Sequence, residues 1–236
     1  MSGRWLDSLH KAYKLSLEVY EEYVFLAMDG VGHRKRNLDL VKQWREEREV
    51  KRRVAERIQR IRNNPDIYQP FKPVPEALEW LQLFTKDALR YPLLAVFAPS
   101  FCGKTEWAES LFSNPLKLLV GELQHFPDGV RELDRKFHDG VVLDDVRDLE
   151  FVSRHQEKLQ GKYSSVVTFA ETPSGQYSFT KDMYRLPMVI TINQSTRNLH
   201  YLETHDFCSK KDNVRVLCFQ GRPGEVPPTE TLQLKA

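Results

Sequence analysis

Residues 93–112 read LLAVFAPSFCGKTEWAESLF, and this stretch limits the fold more than any other. Leu93 to Phe97 is an apolar run of strand length. Ala98, Pro99, Ser100, Phe101, Cys102, Gly103, Lys104 and Thr105 follow as a loop ending in Gly-Lys-Thr, and from Glu106 onward EWAESLF has helical character. Strand, Gly-Lys-Thr loop and helix together are the context a phosphate-binding loop requires. Backbone N–H groups of residues 98 and 100–106 would cradle phosphate oxygens, Pro99 shaping the loop without an N–H of its own. Lys104 would reach the β- and γ-phosphates, and the Thr105 hydroxyl would bind Mg²⁺. Ala98 stands at the first position, where glycine is commoner; a small residue still permits the turn. Cys102 has no base partner in the sequence and reads as a small loop-filling residue rather than a nucleophile.

A phosphate loop needs acids from a second strand. HDGVVLDDVRD supplies them, with Val141 to Leu143 apolar and Asp144 and Asp145 following directly. Asp144 is assigned to the metal and Asp145 to the attacking water. A third strand, LPMVITINQS, is apolar from Leu186 to Ile192 and ends at Asn193, a polar residue suited to touch the γ-phosphate or the water. The expected cofactors are therefore ATP and Mg²⁺. No two of the seven histidines stand four residues apart on one helix with an acid between them, and no structural metal is expected.

Charge marks the domain organisation. The whole chain is nearly neutral at +2, yet residues 33–62 hold 12 Lys/Arg against 5 Asp/Glu. That stretch lacks Gly and Pro and carries apolar residues at Leu40, Val41, Trp44, Val50, Val54, Ile58 and Ile61, mostly in steps of three and four. It reads as a helix that is a solvated surface element, a self-association element or a basic face for nucleic acid, and these readings overlap. Residues 4–28 form a second amphipathic stretch, separated from it by Asp29-Gly30-Val31-Gly32. The predicted organisation is a small all-α, basic region over 1–64, a Pro-rich linker over 65–74, an α/β domain with a parallel central sheet over 75–220, and a loose tail over 221–236. A helix is predicted from Pro75 to Tyr91.

Taken together, APSFCGKT, VVLDD and VITIN resemble the Walker A, Walker B and C motifs of superfamily 3 helicases. The nearest likeness is to the ATPase domain of replication initiator (Rep) proteins of circular single-stranded DNA viruses and their endogenised relatives, and it covers roughly residues 75–219. The resemblance implies an AAA+-related P-loop NTPase fold with the Asp-Asp strand next to or near the phosphate-loop strand. It implies ring assembly, usually as hexamers, and ATP-driven movement on single-stranded DNA. AETPSGQYSF resembles the B′ motif, whose hairpin would face the ring channel; Ser174, Gly175, Gln176, Tyr177 and Lys181 match it, and Gln176, Tyr177 and Lys181 are the expected DNA contacts. Pro173 and Ser174 stand where the family usually carries a lysine. The arginine finger that the family offers from a neighbouring subunit has Lys210, Lys211 and Arg215 as candidates, with Arg215 taken as the catalytic one. The family's nuclease motifs, a His-hydrophobe-His pair and a Tyr-x-x-Lys nucleophile, do not occur, so nicking and rejoining of DNA are not expected.

Three functions compete. The first is a DNA-dependent ATPase and helicase. The second is a nucleotide-dependent assembly switch that does not unwind. The third, a small P-loop kinase, is disfavoured because Arg147, Arg154, Arg185 and Arg197 are scattered and form no lid block. No apolar run approaches the roughly 18 residues of a membrane span. Three cysteines make no disulfide framework, which suits an intracellular setting, nucleus and cytoplasm both remaining open.

Overall fold

The computed structural model describes residues 43, 46, 49–50, 52–54, 56–123, 125–163, 166–169 and 178–225. The helix expected over 4–28 and the positions Ser174, Gly175, Gln176 and Tyr177 lie outside them. The chain divides into two units, Met1–Pro70 and Phe71–Ala236. In the first unit, the described residues from 43 to 62 are helical. Part of their positive charge is spent within the helix: Arg52 pairs with Glu49 and Glu56, and Arg53 with Glu49. These contacts hold the Glu49 carboxyl down at about 2, first through the Arg52 hydrogen bond and then through Arg53. Val50, Ile58 and Ile61 of the predicted apolar face are exposed.

The second unit is built on a five-stranded parallel sheet. Its elements run α1 (Pro75–Gln82), β1 (Leu93–Ala98), α2 (Lys104–Ser110), β2 (Pro115–Leu119), β3 (Gly140–Asp144), α3 (Glu150–Arg154), α4 (Gln156–Leu159), β4 (Val166–Phe169), β5 (Phe179–Asp182), β6 (Met188–Asn193), α5 (Thr196–Thr204) and β7 (Val214–Cys218). The strand order is β2-β3-β6-β1-β7, and β4 pairs antiparallel with β5 in a separate two-stranded sheet. β6 therefore separates the Asp-Asp strand β3 from β1. β1, β3 and β6 are apolar on both faces, as strands covered on both sides must be. Leu93, Ala95 and Phe97 join the core on one face; Leu94, Val96 and Ala98 join Trp80, Trp107 and Phe219 on the other.

Two differences from the predicted elements have local causes. The helix expected to reach Tyr91 ends as α1 at Gln82 and a single 3₁₀ turn, Leu83–Thr85. Side chains from elsewhere take over the backbone there: Arg185 donates to Phe84 O from Nε at 3.0 Å and from Nη2 at 2.8 Å, and the Tyr91 hydroxyl donates to Lys86 O at 2.7 Å. The start of the expected loose tail is also held. The Arg222 guanidinium lies 4.8 Å from the Phe71 ring centroid, and Gly224, at φ +82°, passes so close to Lys72 that a Cβ would stand 2.4 Å from its carbonyl oxygen.

Candidate functional site

The carboxyl ends of parallel strands point the same way, and in open α/β sheets ligands bind in the crevice beyond them. Here the register brings the three sequence signals to that edge. Ala98, the last residue of β1, lies opposite Asn193, the last of β6. β3 and β6 pair Val142 with Val189 and Leu143 with Ile190, so Asp144 falls beside Thr191. Side chains alternate along a strand. Val142 and Val189 belong to the core face that also contains Trp107 of α2, so Asp144, Thr191 and Asn193 share the face over which α2 begins.

The contacts follow from that placement. Lys104, 9% exposed, donates from Nζ to Asn193 Oδ1 at 2.6 Å, and Ser100 Oγ donates to the same oxygen at 3.2 Å. Thr105 Oγ1 donates to Asp144 Oδ1 at 2.7 Å. Thr191 Oγ1 donates to that same carboxylate oxygen at 2.7 Å and accepts the Asp145 N–H at 3.1 Å. Asn193 Nδ2 donates to Asp145 Oδ1 at 3.3 Å. Gly103 caps α2 at φ +82°, a backbone angle that favours glycine, and a Cβ there would stand 3.2 Å from the tip of the Phe71 ring, a tight contact. Phe101 and Asp145 also adopt left-handed backbone, at φ 63° and 54°. The Phe101 side chain is fully exposed, while Cys102 is half-buried.

Two residues join this cluster without having been predicted as site residues. Thr191 is one; the signal for it is a single hydroxyl inside an apolar strand, two places before Asn193 and hence on the same face. Arg147 is the other. Its Nε donates to Asp145 Oδ2 at 3.0 Å and its Nη1 to Glu122 Oε1 at 2.8 Å. Glu122 and then Asp145 push the Arg147 guanidinium upward. The Arg147 backbone is pinned on both sides, its N–H to Gly121 O at 3.3 Å and its C=O by Asn198 Nδ2 at 3.3 Å. Nothing in the sequence distinguishes it from the other arginines.

Two further predicted residues lie away from this cluster, Arg215 being the one expected to act on a neighbouring subunit's site rather than its own. Arg215 is exposed at the start of β7, paired with Leu94, four residues before the Ala98 end of β1. At about 3.3 Å per residue it is roughly 13 Å from the carboxyl edge along the strand. It lines a cavity of about 680 Å³ with Leu83, Leu89, Tyr91 and Asp212. Lys181 on β5 donates from its ammonium to Arg131 O at 2.8 Å and Leu133 O at 2.7 Å, at the 3₁₀ turn Asp128–Glu132, which leaves one of its three N–H donors.

Hydroxyl and carboxylate oxygens dominate the Thr105–Asp144 half of the cluster, a donor set that would suit a hard cation. With its proton on Asp144, the Thr105 oxygen has lone pairs left to offer. Among the described residues no group of three or more His, Cys, Asp or Glu side chains forms a metal cage. A Mg²⁺ site built from one or two carboxylates plus substrate phosphates does not need one. Among the described residues no helix is long and apolar enough to cross a membrane. Compared with protein-family models and with curated proteins, the chain gives no match.

Proposed function

We propose that this chain is a P-loop NTPase of the superfamily 3, Rep-like type, which hydrolyses ATP in a self-assembled ring on single-stranded DNA. One observation carries the reading: a Gly-Lys-Thr loop, the first acid of an Asp-Asp pair and an Asn at a strand tip, from three different strands, meet in hydrogen bonds at the carboxyl edge of one parallel sheet. Lys104 leaves Asn193 for the β- and γ-phosphates of ATP, an ionic partner being stronger than an amide oxygen. Asn193, still beside Asp145, orients the attacking water. The water oxygen bonds to the γ-phosphorus, the bond to the β,γ-bridging oxygen breaks, and the water's proton passes to Asp145. Thr105 and Asp144 would hold Mg²⁺, which when bound neutralises charge on the phosphate oxygens.

Steady-state ATPase measurement with Mg²⁺, with and without single-stranded DNA, tests this. Lys104→Ala should abolish turnover; a variant that still hydrolyses ATP would refute the site assignment. A several-fold rise on DNA supports the motor reading. A second reading, an assembly switch that does not unwind, is favoured by two observations: Lys181 is committed to the Arg131 and Leu133 carbonyls, and Pro173-Ser174 stand where the family's lysine would grip DNA. Turnover indifferent to DNA would select it.

A further inference from the structure

Thr191 is fully buried, the only polar side chain within the run Met188–Ile192. A valine or isoleucine would serve packing there equally well, so the hydroxyl has another use. It makes two hydrogen bonds of different kinds. It donates to Asp144 Oδ1, the oxygen that Thr105 also addresses, and it accepts the N–H of Asp145, whose φ of 54° is unusual for a residue with a side chain. Its single proton goes to one acid and its lone pair secures the backbone of the other, so Thr191 ties the Asp-Asp pair to the strand that ends in Asn193.

We propose that Thr191 is the positioning residue of the metal half of the site: its hydroxyl fixes the rotation of the Asp144 carboxylate and the turn at Asp145, and thereby sets affinity for Mg²⁺ without touching nucleotide. The inference rests on the phosphate-site reading above. Groups that orient a metal ligand from behind typically govern metal affinity by about 10–100-fold. Thr105 contacts the same carboxylate oxygen but also borders the phosphates, so its removal would disturb both halves of the site. Thr191, one strand away and sealed from solvent, separates them.

The test is calorimetric titration of ATP into the full chain, in EDTA and across a Mg²⁺ series, for the parent, Thr191→Val, Thr191→Ser and Lys104→Ala. Thr191→Val should leave ATP affinity in EDTA unchanged and raise the Mg²⁺ concentration for half-maximal tightening by about tenfold or more. Thr191→Ser, which keeps the hydroxyl, should restore it. Unchanged Mg²⁺ dependence in Thr191→Val, or equal loss of affinity with and without Mg²⁺, overturns the proposal. If Thr191→Val does not fold by circular dichroism, Thr191→Ala, which also lacks donor and acceptor, replaces it under the same two criteria. Binding that needs Lys104 and Mg²⁺ but ignores Thr191 sinks this inference alone. Absence of ATP binding, or binding indifferent to Lys104→Ala, sinks the phosphate-site reading and this inference with it.

Discussion

At the scale of single residues, Gly103 is the sharpest test of the loop. It holds φ at +82°, and a Cβ there would stand 3.2 Å from the tip of the Phe71 ring. Left-handed backbone costs an L-residue about 1–2 kcal/mol. Gly103→Ala should therefore lower unfolding free energy by about that amount in urea denaturation and shift Lys104 away from Asn193, with a matching fall in ATP affinity; a variant equal to the parent in both would show that the loop conformation is wrong. Gly103, Lys104, Thr105, Asp144 and Asn193 were all legible beforehand, because each belongs to a short local pattern whose chemistry depends on sequence spacing. Thr191 and Arg147 were not singled out. Their roles arise from register and loop path: Thr191 matters because β6 lies beside β3, and Arg147 because Gly121 and Asn198 pin its backbone between Asp145 and Glu122.

At the scale of elements, the three strands predicted from apolar runs are all present, with ends shifted by one or two residues. Continuous apolar runs suffice for strands buried on both faces. The helix after Pro75 was overextended because helix periodicity cannot foresee that Arg185, about a hundred residues later, would claim the Phe84 carbonyl. Long-range contacts of this kind also surround Lys181. Its place in a B′-like motif suggested DNA contact, yet its ammonium bridges two carbonyls of a neighbouring turn. Removing a charge-assisted donor from this half-buried position should cost about 1.5–3 kcal/mol. For a protein of this size that is a fall in Tm of about 3–12 °C. Lys181→Met should show that fall in a thermal melt while keeping single-stranded DNA affinity. The opposite pattern, normal Tm with weakened DNA binding at low salt, would return Lys181 to the DNA-contacting role.

At the scale of the molecule, the described core lies wholly on one side of the division at residues 70 and 71. Buried apolar residues run from Val74 to Phe219, in two clusters on the two faces of one sheet. A unit that encloses its own core can fold alone. The described part of the first unit offers something different: a helix with exposed Val50, Ile58 and Ile61 whose Arg52 and Arg53 are already paired with glutamates of the same helix. In the proposed ring, a second copy of that helix covers these residues. The two activities should therefore separate. On the proposed function, a fragment of residues 71–236 should unfold cooperatively and bind Mg²⁺-ATP with the affinity of the full chain, yet run as a monomer in light scattering where the full chain runs as an oligomer. If ring formation is what raises turnover, the fragment's ATPase should also lose its dependence on protein concentration. An oligomeric fragment would move the assembly surface onto the α/β unit, with the Arg215 cavity as the first surface to mutate. A fragment without a cooperative transition would mean that the first unit completes the fold rather than assembling it.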